Sequence, residues 1–528
     1  MPIKKSYHFT LSLLCILGLI LGTIVFSGCE GEVVESEGHH DEDFPLLEME
    51  IADLQKAYRD GSLTVVEVVQ LYLDRIEKLD RNGPCLNSVI AVNPEVLEIA
   101  SRLDDEISEG NRRGPMHGVP VMLKDNIDTG DGIPSTAGSR ALKNNLPDED
   151  AALVKKLREA GAVIIGKTNL SEWANFRGTM SSSGWSGHGG QTLNPYYLDR
   201  NPCGSSSGSG VAVSANLTMV AIGTETNGSI VCPSHANGVV GLKPTSGLVS
   251  NAGIIPIAFS MDVAGPMSRT VRDAALTLDV MTDQNQNSYA EHLDEFSLEG
   301  KRIGYYTSHQ GRNFKVDSLT ESAIEFLESR GAEIIYLDQI VSPETAQHAF
   351  EVMLYEYKTG LNQYLATTAE NTGISNIQGL LEFNEKDEIS LRYFNQSYLK
   401  MAAEKEDLNA ETYLEALHMM HFNSREMGID LAIEENELDA IMAPTGTPAW
   451  LTDLYNGDAF QFGTSSPAAF AGYPIISVPM GQIHELPVGI SFFGSAYSEK
   501  TLLGLAYAFE QGTRHREPPL FLPNSQNF

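Results

Sequence analysis

Basic residues are scarce in this chain. Its 36 lysines and arginines stand against 70 aspartates and glutamates, a formal charge of −34 over 528 residues. Such a surface repels nucleic acid and anionic lipid over most of its area, so RNA and DNA partners are disfavoured. The acidity otherwise describes a solvated surface, and it favours cationic peptides. Cysteine is scarce too, with five in the chain, so a disulfide-rich scaffold is excluded. Metal-ligand clusters are thin: His39 and His40 stand beside Asp41, Glu42 and Asp43, but no second ligand group follows nearby, and a solvated linker accounts for them. With 42% apolar and 20% charged residues the chain is not a disordered one. The length suits several ordinary domains or one large α/β sheet, and no composition break cuts off an independent domain.

One long apolar run stands at the start. Lys4 and Lys5 precede Phe9 to Val25, and Phe26-Ser27-Gly28-Cys29 ends in small residues before a cysteine. This resembles a bacterial lipoprotein signal, which implies cleavage before Cys29, lipidation of Cys29, and an exported enzyme body anchored to a membrane of the cell envelope. An uncleaved membrane anchor is the alternative, because the run is just long enough to span a bilayer. Glu30 to Pro45 then reads as an acidic tether. With Cys15 lost in the signal and Cys29 lipidated, Cys85, Cys203 and Cys232 remain, an odd number. A bridge between Cys203 and Cys232 is open to the sequence, but buried free cysteines beside tight turns are the commoner arrangement.

From Leu46 to the C-terminus the chain reads as one domain of alternating helix and short strand. Thr64 and Glu67 form a capping box before Val65, Val66, Val69, Leu71 and Leu73. Ala151 to Ala160 reads as a helix stopped by Gly161 and followed by the strand Val163-Ile164-Ile165; Leu319 to Arg330, Gly331 and Ile334-Ile335 repeat that grammar. The alternation implies an α/β protein with a largely buried sheet. Residues from about 283 to 439 read as mainly helical, and Tyr355, Tyr357, Tyr364, Tyr393, Phe394 and Tyr398 within them suit either a substrate entrance or helix packing. Strands return at Ala440-Ile441-Met442 and Ile475 to Val478.

Three segments carry chemistry. Gly118 to Ile127 places Lys124 at the end of an apolar run that reads as a buried strand. Cys203-Gly204-Ser205-Ser206-Ser207-Gly208-Ser209-Gly210 and Gly223-Thr224-Glu225-Thr226-Asn227-Gly228-Ser229-Ile230 are rich in glycine and hydroxyl residues. The Val211 to Ile222 stretch between them is small and apolar, which suits a helix inside a core rather than a flexible linker. Together the three segments resemble the amidase signature family, with Ser205 and Ser229 at that family's separation of 24 positions. Arg113 to Gly118, Gly166 to Glu172, Gly241 to Thr245, Ala264 to Thr270 and Leu486 to Ile490 extend the resemblance from about residue 48 to 515. Three positions depart from the commonest pattern: Cys203 and Asn227 stand where glycine is usual, and Val231 where arginine is usual. The bacterial peptide amidases, with Glu-Thr-x-Gly-Ser-Ile-Val-Cys-Pro here, are the most similar subgroup.

The resemblance implies a mixed central β-sheet covered by helices on both faces, a triad of Lys124, a cis-peptide Ser205 and the nucleophile Ser229, and neither a metal nor an organic cofactor. The Thr226-Asn227-Gly228-Ser229 turn would supply an oxyanion hole, with Ser206, Thr168 and Asn169 as supporting groups. The chemistry needs this set: amide hydrolysis requires an activated nucleophile, a proton donor for the leaving nitrogen and donors for the oxyanion. Only about one lysine in roughly 2,500 is neutral at pH 7, so Lys124 has to be buried to act as a base. Asp125 would oppose that, but strand alternation sends its side chain to the other face.

Gly204 to Gly208 also fits G-x-S-x-G with Ser206 in the middle, yet an α/β-hydrolase elbow follows a strand and Asn194 to Pro202 reads as a loop. The expected activity is hydrolysis of a carboxamide, foremost a peptide C-terminal amide. The alternatives are small aryl or aliphatic amides, the glutamine-hydrolysing component of a tRNA-dependent amidotransferase, which export and acidity disfavour, or a silent ligand-binding lipoprotein of the same fold. The sequence leaves the oligomeric state open.

Overall fold

The short apolar runs assemble into one mixed sheet of eleven strands in the computed structural model, which describes residues 43–282 and 288–525. In chain order the strands are β1 (Val89–Val92), β2 (Pro120–Lys124), β3 (Val163–Thr168), β4 (Val220–Glu225), β5 (Val240–Lys243) and β6 (Val263–Ser268). They continue with β7 (Arg302–Tyr306), β8 (Glu333–Leu337), β9 (Ala440–Pro444), β10 (Ile475–Ile483) and β11 (Leu486–Phe493). The order across the sheet is β1-β3-β2-β4-β6-β5-β10-β11-β9-β7-β8. β3, β2 and β4 pair in parallel, as do β9, β7 and β8, and every other neighbouring pair is antiparallel. β2, β3, β4 and β6 are buried at every residue. A strand with no exposed residue is covered on both faces, and helices supply the cover.

The local rules hold where a terminus signal was strong. Thr64 caps the helix Val65–Arg75 with both bonds of the capping box in place, and Ala152–Glu159 and Phe314–Ser329 are helical as expected. Val211 to Ile222 differs: the helix is Ser207–Ser214, a turn at Asn216 with φ 55° follows, and Val220 onward is β4. The branched Val220 and Ile222 favour a strand, and a mostly apolar stretch whose polar residues Ser214, Asn216 and Thr218 stand two apart shows no helical period that would separate the two states. Within the mainly helical region of about 283–439 the strand expected at Ile334-Ile335 is present as β8, and β7 is a further strand that the sequence reading had not singled out. Long helices begin at Thr345–Thr372 and continue with Ile377–Lys386, Ser397–Ala403 and Glu411–Ser424, forming a second core with Trp173, Phe176, Ile255 and Phe470.

The aromatic residues of that region mostly pack. Tyr357 and Tyr398 each lie 5.2 Å from the Phe176 ring, Phe394 lies 5.3 Å from Trp185 and Tyr355 lies 5.6 Å from Tyr413. The Tyr364 hydroxyl donates to Asp128 at 2.8 Å. Among the described residues no helix is long and apolar enough to cross a membrane. The leader, Cys29 and the tether up to Glu42 lie outside the described residues.

Helix Ser207–Ser214 runs against β3 with almost no clearance. A Cβ on Gly208 would stand 2.3 Å from the Ser88 carbonyl oxygen and 2.5 Å from that of Asn169, both backbone atoms that cannot yield locally. Gly208→Ala is therefore expected to destabilise the fold by about 1–3 kcal/mol or more. Thermal denaturation checks this, and an unchanged midpoint would contradict the contact.

Candidate active site

Parallel β2 and β4 lie side by side, and β4 runs on past the end of β2, which puts Lys124, Thr224 and Glu225 at the carboxyl edge of the sheet, where open α/β sheets bind their ligands. Lys124 is the last residue of β2 and wholly buried. Its Nζ donates to Ser205 Oγ at 2.7 Å and to the Thr224 carbonyl at 2.9 Å. Neither partner is charged, so burial dominates and the amine's pKa falls to about 7, with Glu225 and Asp262 offsetting part of the loss. Asp125 points away as alternation requires: its carboxylate accepts from the Thr136 hydroxyl and backbone and faces Lys167.

Ser205 follows a cis peptide bond at Gly204-Ser205 and is wholly buried. The Ser171 N–H donates to its carbonyl at 3.1 Å, and Ser207 Oγ closes the turn onto the Cys203 carbonyl at 2.6 Å. Ser206 ties the two glycine-rich segments together. Its N–H donates to the Ser229 carbonyl at 3.1 Å, while its Oγ donates to the Thr224 carbonyl at 3.1 Å and accepts from the Thr224 N–H at 3.2 Å. No strand precedes it, as the loop reading of Asn194 to Pro202 required.

Ser229 stands in the turn between β4 and the short helix Val231–Ala236, 9% exposed where Lys124 and Ser205 are fully enclosed, so it alone of the three meets solvent. Glu225 lies beneath the turn and accepts from the Ile230 and Val231 N–H groups at 2.7 and 3.0 Å. Gly228 has φ 83°, the left-handed region a glycine enters freely. The N–H groups of Asn227, Gly228 and Ser229 donate no hydrogen bond among the described residues. The Thr226 hydroxyl donates to Asp262 at 2.6 Å, and a narrow recess of about 10 Å³ beside it is lined by Asn126, Thr224, Thr226, Ile255 and Asp262.

Thr168 and Asn169 act from further out. The Thr168 hydroxyl bonds Ser209 at 2.8 Å, and the Asn169 amide donates to Asn87, Gly190 and Thr192. They hold helix Ser207–Ser214 and the neighbouring turn in place. Cys203 and Cys232 are joined, with Cα atoms 5.9 Å apart, which corrects the expectation of free thiols. The sequence alone could not bring together residues 29 positions apart, since pairing depends on Cβ directions. Sequence reasoning also missed the Thr224 carbonyl, Glu225 and Ser465. Glu225 left a signal as an acid closing an apolar strand; Ser465, 238 positions from its partner Asn227, left none. Among the described residues no group of three His, Cys, Asp or Glu side chains is placed to hold a metal ion.

A protein-family model for amidases matches residues 67–503. A probable amidase of Arabidopsis thaliana is 38% identical over 504 residues, covering 91% of this chain and 93% of the relative. A glutamyl-tRNA(Gln) amidotransferase component of Carboxydothermus hydrogenoformans is 32% identical, over 90% of this chain and 99% of its own length. Among solved structures, the native peptide amidase from Stenotrophomonas maltophilia is 45% identical with a TM-score of 0.86, over 90% of this chain and 99% of that one. An amidase family protein from Bacillus anthracis is 33% identical with a TM-score of 0.82, over 92% and 95%. Matched by that model over most of its length, and by relatives from plants and bacteria, the chain belongs to the amidase family and hydrolyses amide C–N bonds.

Proposed function

We propose that the chain removes ammonia from a carboxamide, foremost the C-terminal amide of a peptide, through Lys124, Ser205 and Ser229. The observation that carries this reading is the wholly buried Lys124 amine held 2.7 Å from Ser205 Oγ. Ser229 Oγ attacks the carbonyl carbon and forms the C–O bond. Its proton passes to Ser205 Oγ as the Ser205 proton passes to neutral Lys124. The carbonyl oxygen takes up negative charge facing the N–H groups of Asn227, Gly228 and Ser229. The proton returns along the same path to the amide nitrogen, the C–N bond breaks, and ammonia leaves an ester on Ser229. Water then attacks that ester with the same proton route, releasing the carboxylate and restoring the serine.

The peptide amide is favoured over a small aryl or aliphatic amide by the 45% identity to a peptide amidase across nearly all of that protein. Transamidation on tRNA is disfavoured by the charge of −34, and identity to the amidotransferase component is lower at 32%. The lipoprotein-type leader supports export and anchoring through Cys29, which proteolysis-resistant membrane association, lost in Cys29→Ala, would test.

Ammonia release from amidated peptides is expected for the wild type and not for Ser229→Ala, which should remain folded; turnover by that variant would sink the assignment. If neutral Lys124 is the base, kcat/KM rises with pH through about 7 and falls about tenfold per unit below it. Lys124→Met should lower kcat by orders of magnitude and abolish that limb, and an unchanged profile would exclude the lysine. Stability moves the same way, at higher pH. Because the folded pKa lies below that of an exposed lysine, the buried cation costs most below pH 7, and the cost is relieved as pH rises from about 7 to about 10.4. Lys124→Met is accordingly expected to melt no lower than wild type at pH 6.

A further inference from the structure

The positions at which the chain departs from the commonest family pattern are brought together by the fold. Cys203 is bonded to Cys232, which joins the segment before Ser205 to the helix after Ser229. Val231, the residue before Cys232, packs in a small core with Ala468 and Ala471 of helix Ser466–Ala471. Asn227 meets the start of the same helix: its Oδ1 accepts from Ser465 Oγ at 2.7 Å and its Nδ2 donates to Ser466 Oγ at 3.2 Å. Ser465 also abuts the turn itself, its Oγ lying 3.0 Å from where a Cβ on Gly228 would stand.

Where glycine stands at 227 no side chain can make these bonds, and an arginine at 231 would not fit among alanines without burying its charge. The substitutions thus replace one manner of support with another. Helix Ser466–Ala471 is itself held from behind: Ala469 and Phe470 belong to the core of the long helices, and Arg425 Nε donates to the Ala471 carbonyl at 2.8 Å.

We propose that Asn227 is a positioning residue for amide hydrolysis, holding the Asn227-Gly228-Ser229 turn in register against helix Ser466–Ala471 through Ser465 and Ser466. This rests on the reading of that turn as the oxyanion site. Because Asn227 acts on the donors that face the developing charge, it bears on the transition state more than on the bound amide. Its bonds to Ser465 and Ser466 are solvent-accessible at one end, so their loss leaves the fold standing.

The experiment compares wild type, Asn227→Gly, Ser465→Ala, the double variant and Ser229→Ala on one amidated dipeptide, with inhibition by the corresponding peptide boronic acid. Asn227→Gly is expected to lower kcat about tenfold or more with KM within about twofold, and to weaken the boronate by the same factor as kcat/KM. Ser465→Ala, which removes the same bond from the other side, is expected to reproduce the loss in part, and the double variant to lose no more than Asn227→Gly alone. Should Asn227→Gly not fold, Ser465→Ala carries the comparison. A kcat within about twofold of wild type in both single variants, losses that multiply in the double variant, or a boronate affinity that does not follow kcat/KM would overturn the proposal. Turnover by Ser229→Ala would instead overturn the reading of the site on which it rests.

Discussion

The burial of one amine organises this structure. An ammonium group placed wholly inside a protein is normally paired with a carboxylate, which would keep it charged. Lys124 instead meets a serine hydroxyl and a backbone carbonyl, while the carboxylates of Glu225 and Asp262 act on it only from a distance. That balance needs a strand with both faces covered, a neighbouring parallel strand that runs on past Lys124 so that Thr224 can present its carbonyl, and a turn that delivers Ser205. The sheet order, with β2 between β3 and β4, supplies the neighbouring strand, the helices cover the faces, and the Cys203 to Ser207 turn brings Ser205. Lys167 and Lys243 are buried as deeply, but Lys167 faces Asp125 and Asp128, and Lys243 donates to the carbonyls of Pro244 and Tyr473 and meets no serine hydroxyl among the described residues.

What could be read in the sequence was what is local. An apolar run ending in lysine specifies a buried strand with a polar end, a capping box specifies a helix start, and Lys124 and Ser205 could be set together before their hydrogen bond was known. Two kinds of information were not local. Val211 to Ile222 is mostly apolar, and its polar residues Ser214, Asn216 and Thr218 stand at two-residue spacing that marks no helical face, so helix and strand look alike until the turn at Asn216 divides them. Tertiary pairings formed the second kind: Cys203 with Cys232, Asn227 with Ser465, Glu225 under the Ser229 turn. Each depends on the direction of a side chain in the assembled fold, which spacing does not encode.

A turn with the role proposed for Asn227-Gly228-Ser229, offering its N–H groups to a substrate, faces a conflict that secondary structure cannot resolve. Backbone donors are ordinarily what hold a turn or helix start together, and among the described residues those of Asn227, Gly228 and Ser229 are left open. The rigidity has to come from groups outside the donors. Glu225 supplies it from below by taking the next two N–H groups, the Cys203–Cys232 bond from the side of Ser205, and Ser465 and Ser466 from across the sheet. Each of these contacts uses a side chain or a covalent bond, and none consumes a donor of the turn itself. An open set of donors that is nevertheless fixed in direction costs no reorganisation when charge develops against it. On that view, residues such as Asn227 and Cys203 belong to the chemistry through the backbone they restrain, which explains how the glycine pattern can change while the serines and the lysine stay.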